Sequence, residues 1–118
     1  MKVIKITRDV IDIPFVDADG KELLKLEFEV NDENLTRIIN FKENMGKEEV
    51  STLEDMKATI KKYVDITLGD GSFEKIYAIN PNIIAITIYF KAIAEGILSE
   101  INERKFNMQN NEIDNLIN

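Results

Sequence analysis

The residue pattern predicts an α+β fold: an N-terminal antiparallel β-hairpin or three-stranded sheet packed on three main α-helices. Three observations carry that expectation. Three apolar runs with alternation in residues 2–6 and at the end of Leu23 to Val30 fill the first thirty positions, an Asp/Gly turn joins the last two, and helical spacing takes over from Asn31 onward. The chain has 118 residues, 44% of them apolar, enough for one domain with a modest core.

The strands come first. KVIKI, residues 2–6, has the apolar content of a short strand, and Val10 to Val16 forms a second run. Asp17-Ala18-Asp19-Gly20 then supplies turn residues before a third run, Leu23 to Val30. In that run Leu26, Phe28 and Val30 share one face while Glu27 and Glu29 share the other. Two apolar runs joined by a short Asp/Gly segment are a hairpin signal.

The helices follow. Asn31-Asp32 offers a cap, Leu35, Ile38, Ile39, Lys42 and Met45 recur at helical spacing, and Gly46 reads as a stop. Ser51 with Glu54 has capping-box spacing, and Leu53, Met56, Ile60, Val64 and Leu68 draw an apolar stripe behind it. A short helix is expected from Phe73 to Ala78. The stretch IIAITIYF is rich in β-branched residues and suits a buried strand by propensity. Asn80 as cap, Pro81 at the first helical position and the continuing Ile93, Ile97 and Ile101 favour one helix from Pro81 to about Arg104. Its apolar residues fall on two faces, Ile86, Phe90, Ile93 and Ile97 on one, Ile84 and Ile88 on the other. Such a helix lies at the centre of a core or meets another chain. Residues 1–105 are read as one domain, and the Asn-rich tail 106–118 as disordered or ordered by a partner.

Composition narrows the chemistry. The formal charge is -7 with no Lys/Arg-rich face, which argues against nucleic acid and anionic membranes as partners. The chain holds no Cys and no His, so thiolate chemistry, disulfides and the commonest general base and metal ligand are all missing. MKVIKITRD has no long apolar core of a signal sequence, and a cytoplasmic protein is expected.

Three stretches invite a chemical reading. Placing Gly20 at the sixth position of a calcium loop puts Phe15 first and Leu26 last, where carboxylates are required. A hairpin turn fits better. Gly69-Asp70-Gly71-Ser72 has no lysine in the place a P-loop needs and follows a helix rather than a strand. It reads as a hinge, with Gly69 ending one helix and Ser72 capping the next. Glu27 and Glu29 share a strand face, the usual arrangement of a solvated side. No catalytic, cofactor-binding or metal-binding residue is assigned, and the chain is read as non-enzymatic.

FEVNDENLTRIINF, LGDGSFEKIYAINPN and the long terminal helix together resemble the tail assembly chaperones of long-tailed phages and prophages of Gram-positive bacteria. The shared motif is a Gly-acid-Gly-Ser/Thr stretch before Lys-Ile/Leu-Phe/Tyr, here Gly69-Asp70-Gly71-Ser72 with Glu74-Lys75-Ile76-Tyr77, then Asn80-Pro81. The resemblance covers about residues 25 to 100 and brings no catalytic motif with it. It implies an assembly role in the host cytoplasm: binding the tape-measure protein and recruiting tail-tube subunits. It also implies homo-oligomers, rings or spirals, for which the KVIKI edge and the Ile84/Ile88 face are the two candidate patches. A longer form made by ribosomal frameshifting is a further implication. The alternatives are another tail structural or accessory protein, or a small bacterial adaptor; a histidine-free hydrolase is a remote third.

Overall fold

The computed structural model describes residues 1–44 and 52–117, with side chains described through Arg104. Two strands, β1 (Val10–Val16) and β2 (Glu22–Glu29), precede four helices: α1 (Asp32–Asn44), α2 (Leu53–Leu68), α3 (Ser72–Ile79) and α4 (Ile83–Ile117). This is the expected α+β order, with the short third helix included. The third strand is not formed. Residues 2–6 are exposed and form no regular element, and the sheet holds β1 and β2 alone among the described residues. Alternation gives KVIKI the character of a strand, but a strand needs a neighbour for its backbone groups, and no described residue pairs with it.

The hairpin is antiparallel, with Val10 opposite Glu29 and Ile13 opposite Leu26, and an irregularity at Phe15/Val16 next to the turn. Asp17 makes that turn. Its carboxylate accepts the N–H groups of Asp19 and Lys21, each at 2.9 Å, while its carbonyl accepts Gly20 N–H at 3.0 Å. Gly20 has φ of 83°, a left-handed value that glycine adopts without penalty. Ile11, Ile13, Phe15, Leu24, Leu26 and Phe28 turn one face of the hairpin toward the helices.

Each helix start has a local cause. Asn31 Oδ1 accepts Asn34 N–H at 2.8 Å and caps α1, as the sequence predicts. For α2 the cap is Thr52, whose hydroxyl accepts Asp55 N–H at 3.1 Å. Ser51, expected in that role, lies outside the described residues, as do Met45 and the stop residue Gly46. The cap of α4 also moves. Asn80 N–H bonds Ile76 carbonyl at 3.0 Å, so Asn80 closes α3, and Asn82 takes over as cap by accepting Ala85 N–H at 3.1 Å. Pro81 therefore stands before the helix rather than inside it. IIAITIYF is helical throughout, because tertiary burial outweighs the modest strand preference of its β-branched residues.

The core gathers residues of β2 and of all four helices. Phe28, Phe41, Phe73, Phe90, Ile38, Ile86 and Val64 are fully buried, with Leu26, Ile60, Ile76, Ala94 and Ile97 completing the cluster. Phe41 is central: its ring centroid lies 4.6 Å from Phe90 and 5.0 Å from Tyr63, both edge-on, the favoured aromatic geometry. On α4 the buried positions Ile86, Phe90, Ala94 and Ile97 step by four, four and three, one stripe of the helix. The helix then continues to Ile117, so the backbone of the Asn-rich segment through Ile117 is helical. With 35 residues it is about 52 Å long.

Candidate functional site

The Gly69–Ser72 stretch is a helix–helix joint. Gly69 closes α2 through its N–H to Asp65 carbonyl at 3.0 Å, with φ 112° and ψ 152°, a conformation essentially confined to glycine. Gly71, at φ 83° and ψ -4°, then turns the chain into α3. Ser72 is buried in the first turn of α3 and makes no side-chain cap; its N–H bonds Gly69 carbonyl at 3.1 Å. The expected Ser72 cap is replaced by Asp65, whose Oδ1 accepts Phe73 N–H at 2.9 Å from eight residues away. A carboxylate at that point also complements the positive end of the helix. Spacing alone could not reveal this residue, because the contact exists only once α2 and α3 are folded against each other.

Beside this joint lies an open polar cleft of about 400 Å³ between Arg8, Lys25, Glu27, Glu29, Asp70 and Lys75. Its charges are of both signs and exposed. Arg8 reaches Glu29 at 3.2 Å and Lys25 reaches Asp12 at 3.6 Å, surface pairs of small energetic weight. Glu27 is solvent-facing, in keeping with its place on the outer face of the hairpin. No group of three or more acidic residues among the described residues is arranged to hold a metal ion. Two cations are held charged above their ordinary range: Lys61 through its hydrogen bond to Glu74, and Arg104 chiefly through Glu100 and also Asp9.

The feature that stands apart is apolar. Ile84 and Ile88, one turn apart on α4, are 57% and 60% exposed, and Leu53 at the start of α2 is 63% exposed. Leu53 and Ile84 flank a shallow groove completed by Glu54, Lys57, Tyr77, Pro81, Asn82 and Ile83. The groove wall is held in place from behind. Tyr77 stacks on buried Phe73 with centroids 5.6 Å apart, and Lys57 Nζ sits 4.1 Å over the Tyr77 ring. Tyr89, next along α4, is fixed by Asn80 Nδ2 donating to its hydroxyl at 2.9 Å. Ile84 and Ile88 form the second apolar face that the sequence predicts; Leu53, which the spacing assigns to the core stripe of α2, points outward at the first position of that helix.

No family model, no curated protein and no solved structure matches the chain. Among the described residues, no helix is long and apolar enough to cross a membrane.

Proposed function

We propose that this chain is an assembly chaperone of the phage-tail type, which holds the tape-measure protein through the Leu53/Ile84/Ile88 face. The observation that carries the reading is that face: large aliphatic side chains, more than half exposed, beside a groove with a rigid aromatic wall. Such a surface favours an amphipathic helical segment, whose apolar residues at i, i+3 and i+4 spacing can lie in the groove. The net charge of -7 supports the same reading, since it keeps a chain with exposed apolar surface soluble. The resemblance in Gly69–Tyr77 and Asn80-Pro81 adds the client class, a long helical tail component, together with recruitment of tail-tube subunits. On this reading the protein works in the host cytoplasm during assembly and performs no chemistry.

The test is co-expression with fragments of the tape-measure protein from the same genome, followed by affinity capture. Ile84→Asp with Ile88→Asp is expected to abolish capture while leaving the helical circular-dichroism signal intact. Capture that survives both substitutions would move the client site elsewhere. A parent chain that captures no fragment would remove the chaperone reading.

A further inference from the structure

The unformed third strand has a destination. Residues 1–7 precede β1, make no backbone hydrogen bond among the described residues, and carry Val3, Ile4 and Ile6 at 83%, 82% and 95% exposure. Beside them is an open edge. Val30 N–H bonds Asp9 carbonyl at 2.7 Å, so Asp9 faces β2. Backbone groups alternate along a strand, which turns those of Val10 and Asp12 away from β2 toward the unpaired side. An apolar arm and an unsatisfied strand edge in one chain are complementary surfaces.

The geometry points to a two-fold dimer in which each arm adds antiparallel to β1 of a second copy, with Thr7 of both copies on the axis. Charge complementarity selects that register. With Thr7 opposite its counterpart, Lys2 stands opposite the second copy's Asp12, which also pairs with Lys25, and Lys5 opposite its Asp9, which also pairs with Arg104. In the same register Val3 meets Ile11 and Ile4 meets Val10. The pleat agrees: Ile11 and Ile13 lie on the core-facing side of β1, and Val3 joins that side, while Ile4 joins Val10 on the other. Moving the axis to Arg8 sets two guanidinium groups against each other and Lys2 against Pro14, which has no N–H to donate. Moving it to Ile6 separates both charge pairs. An odd offset turns every arm side chain to the wrong face.

In the product each β1 lies between its own β2 and the arm of the second copy, so the two hairpins join into one sheet. The arm carries Lys2 and Lys5 and no carboxylate, while the rest of the chain is more acidic than the whole. A two-fold contact of this kind closes on two copies, unlike the head-to-tail contact that a ring requires. The inference is independent of the client reading, because neither partner strand includes Leu53, Ile84 or Ile88.

The experiment uses the full chain and exploits its lack of cysteine. Residues facing each other across an antiparallel pair have Cα atoms about 4.5–5.5 Å apart, within the range a disulfide spans. Thr7→Cys is therefore expected to oxidise to a covalent dimer at dilute chain concentration. Val3→Cys, equally exposed but offset from its own copy by eight positions of register, is expected to remain uncross-linked. Light scattering on the unmodified chain is expected to give twice the 13.6 kDa chain mass. Lys2→Asp with Lys5→Asp is expected to return it to the single mass. A single-chain mass for the parent at all concentrations, or equal cross-linking at positions 3 and 7, would overturn the proposal.

Discussion

Two substitutions two residues apart on α4 separate core from surface. Phe90 is 1% exposed and packs edge-on against Phe41 at 4.6 Å, whereas Ile88 is 60% exposed. Phe90→Ala removes a fully buried ring, worth about 1.5–3 kcal/mol in transfer free energy. It also removes the ring–ring term of about 0.5–1.5 kcal/mol and leaves a void, for a total of about 3–5 kcal/mol. Ile88→Ala, away from the core, is expected to change stability by less than about 0.5 kcal/mol. Domains of this size have about 5–15 kcal/mol in all, so the first change is a large fraction and the second is not. The assay is urea unfolding followed by far-ultraviolet circular dichroism at one fixed chain concentration. With a slope of about 2 kcal/mol/M, loss of about 4 kcal/mol lowers the midpoint by about 2 M. Equal midpoint shifts for the two variants, or a shift below about 0.5 M for Phe90→Ala, would mean that α4 is rotated from the register described.

The helix joint and the surface pairs give further expectations. Gly71→Asn is expected to cost less than about 1 kcal/mol, since Asn tolerates a left-handed φ and open space surrounds the position. Gly69→Asn, at φ 112°, is expected to cost about 1–3 kcal/mol more; similar thermal midpoints for the two variants would contradict the backbone assignment. Asp65→Ala is expected to lose about 1–2 kcal/mol with the cap on Phe73 N–H, and a neutral result in thermal unfolding would deny that cap its role. The Lys61 ammonium, raised by its bond to Glu74, contributes stability below the ordinary lysine range that fades as pH climbs through its higher folded value. Lys61→Met is therefore expected to flatten the alkaline limb of a stability-versus-pH curve; an unchanged limb would count against the pair.

What the sequence discloses divides along the range of the interactions involved. The hairpin turn is legible because Asp17 bonds to backbone only two and four residues away, and Gly20 supplies its own left-handed φ. Asn31 as a cap and Gly69 as a terminator are legible for the same reason. Competition between neighbours is harder to read. The α4 cap is Asn82 rather than the expected Asn80, because Asn80 is committed to the end of α3. Asp65 as the α3 cap and Lys57 over Tyr77 depend on the packing of α2 on α3. KVIKI shows the limit from the other side, since strand character is local whereas the presence of a neighbouring strand is not. The Ile84/Ile88 face was legible as a surplus of apolar positions on one helix, but the groove beside it required α2 and α3 to be in place.

The length of α4 also sets how the molecule tumbles. The radius of gyration is 17.5 Å, against about 13–14 Å for a compact chain of this size, and the longest extent is 58 Å. Rotation about the long axis is consequently faster than end-over-end rotation. Helix amide bonds point along the helix axis and strand amide bonds across the strand. Nitrogen-15 relaxation will thus differ between α4 and the hairpin even where both are equally rigid, and an isotropic treatment would mistake that orientation effect for slow exchange in α4.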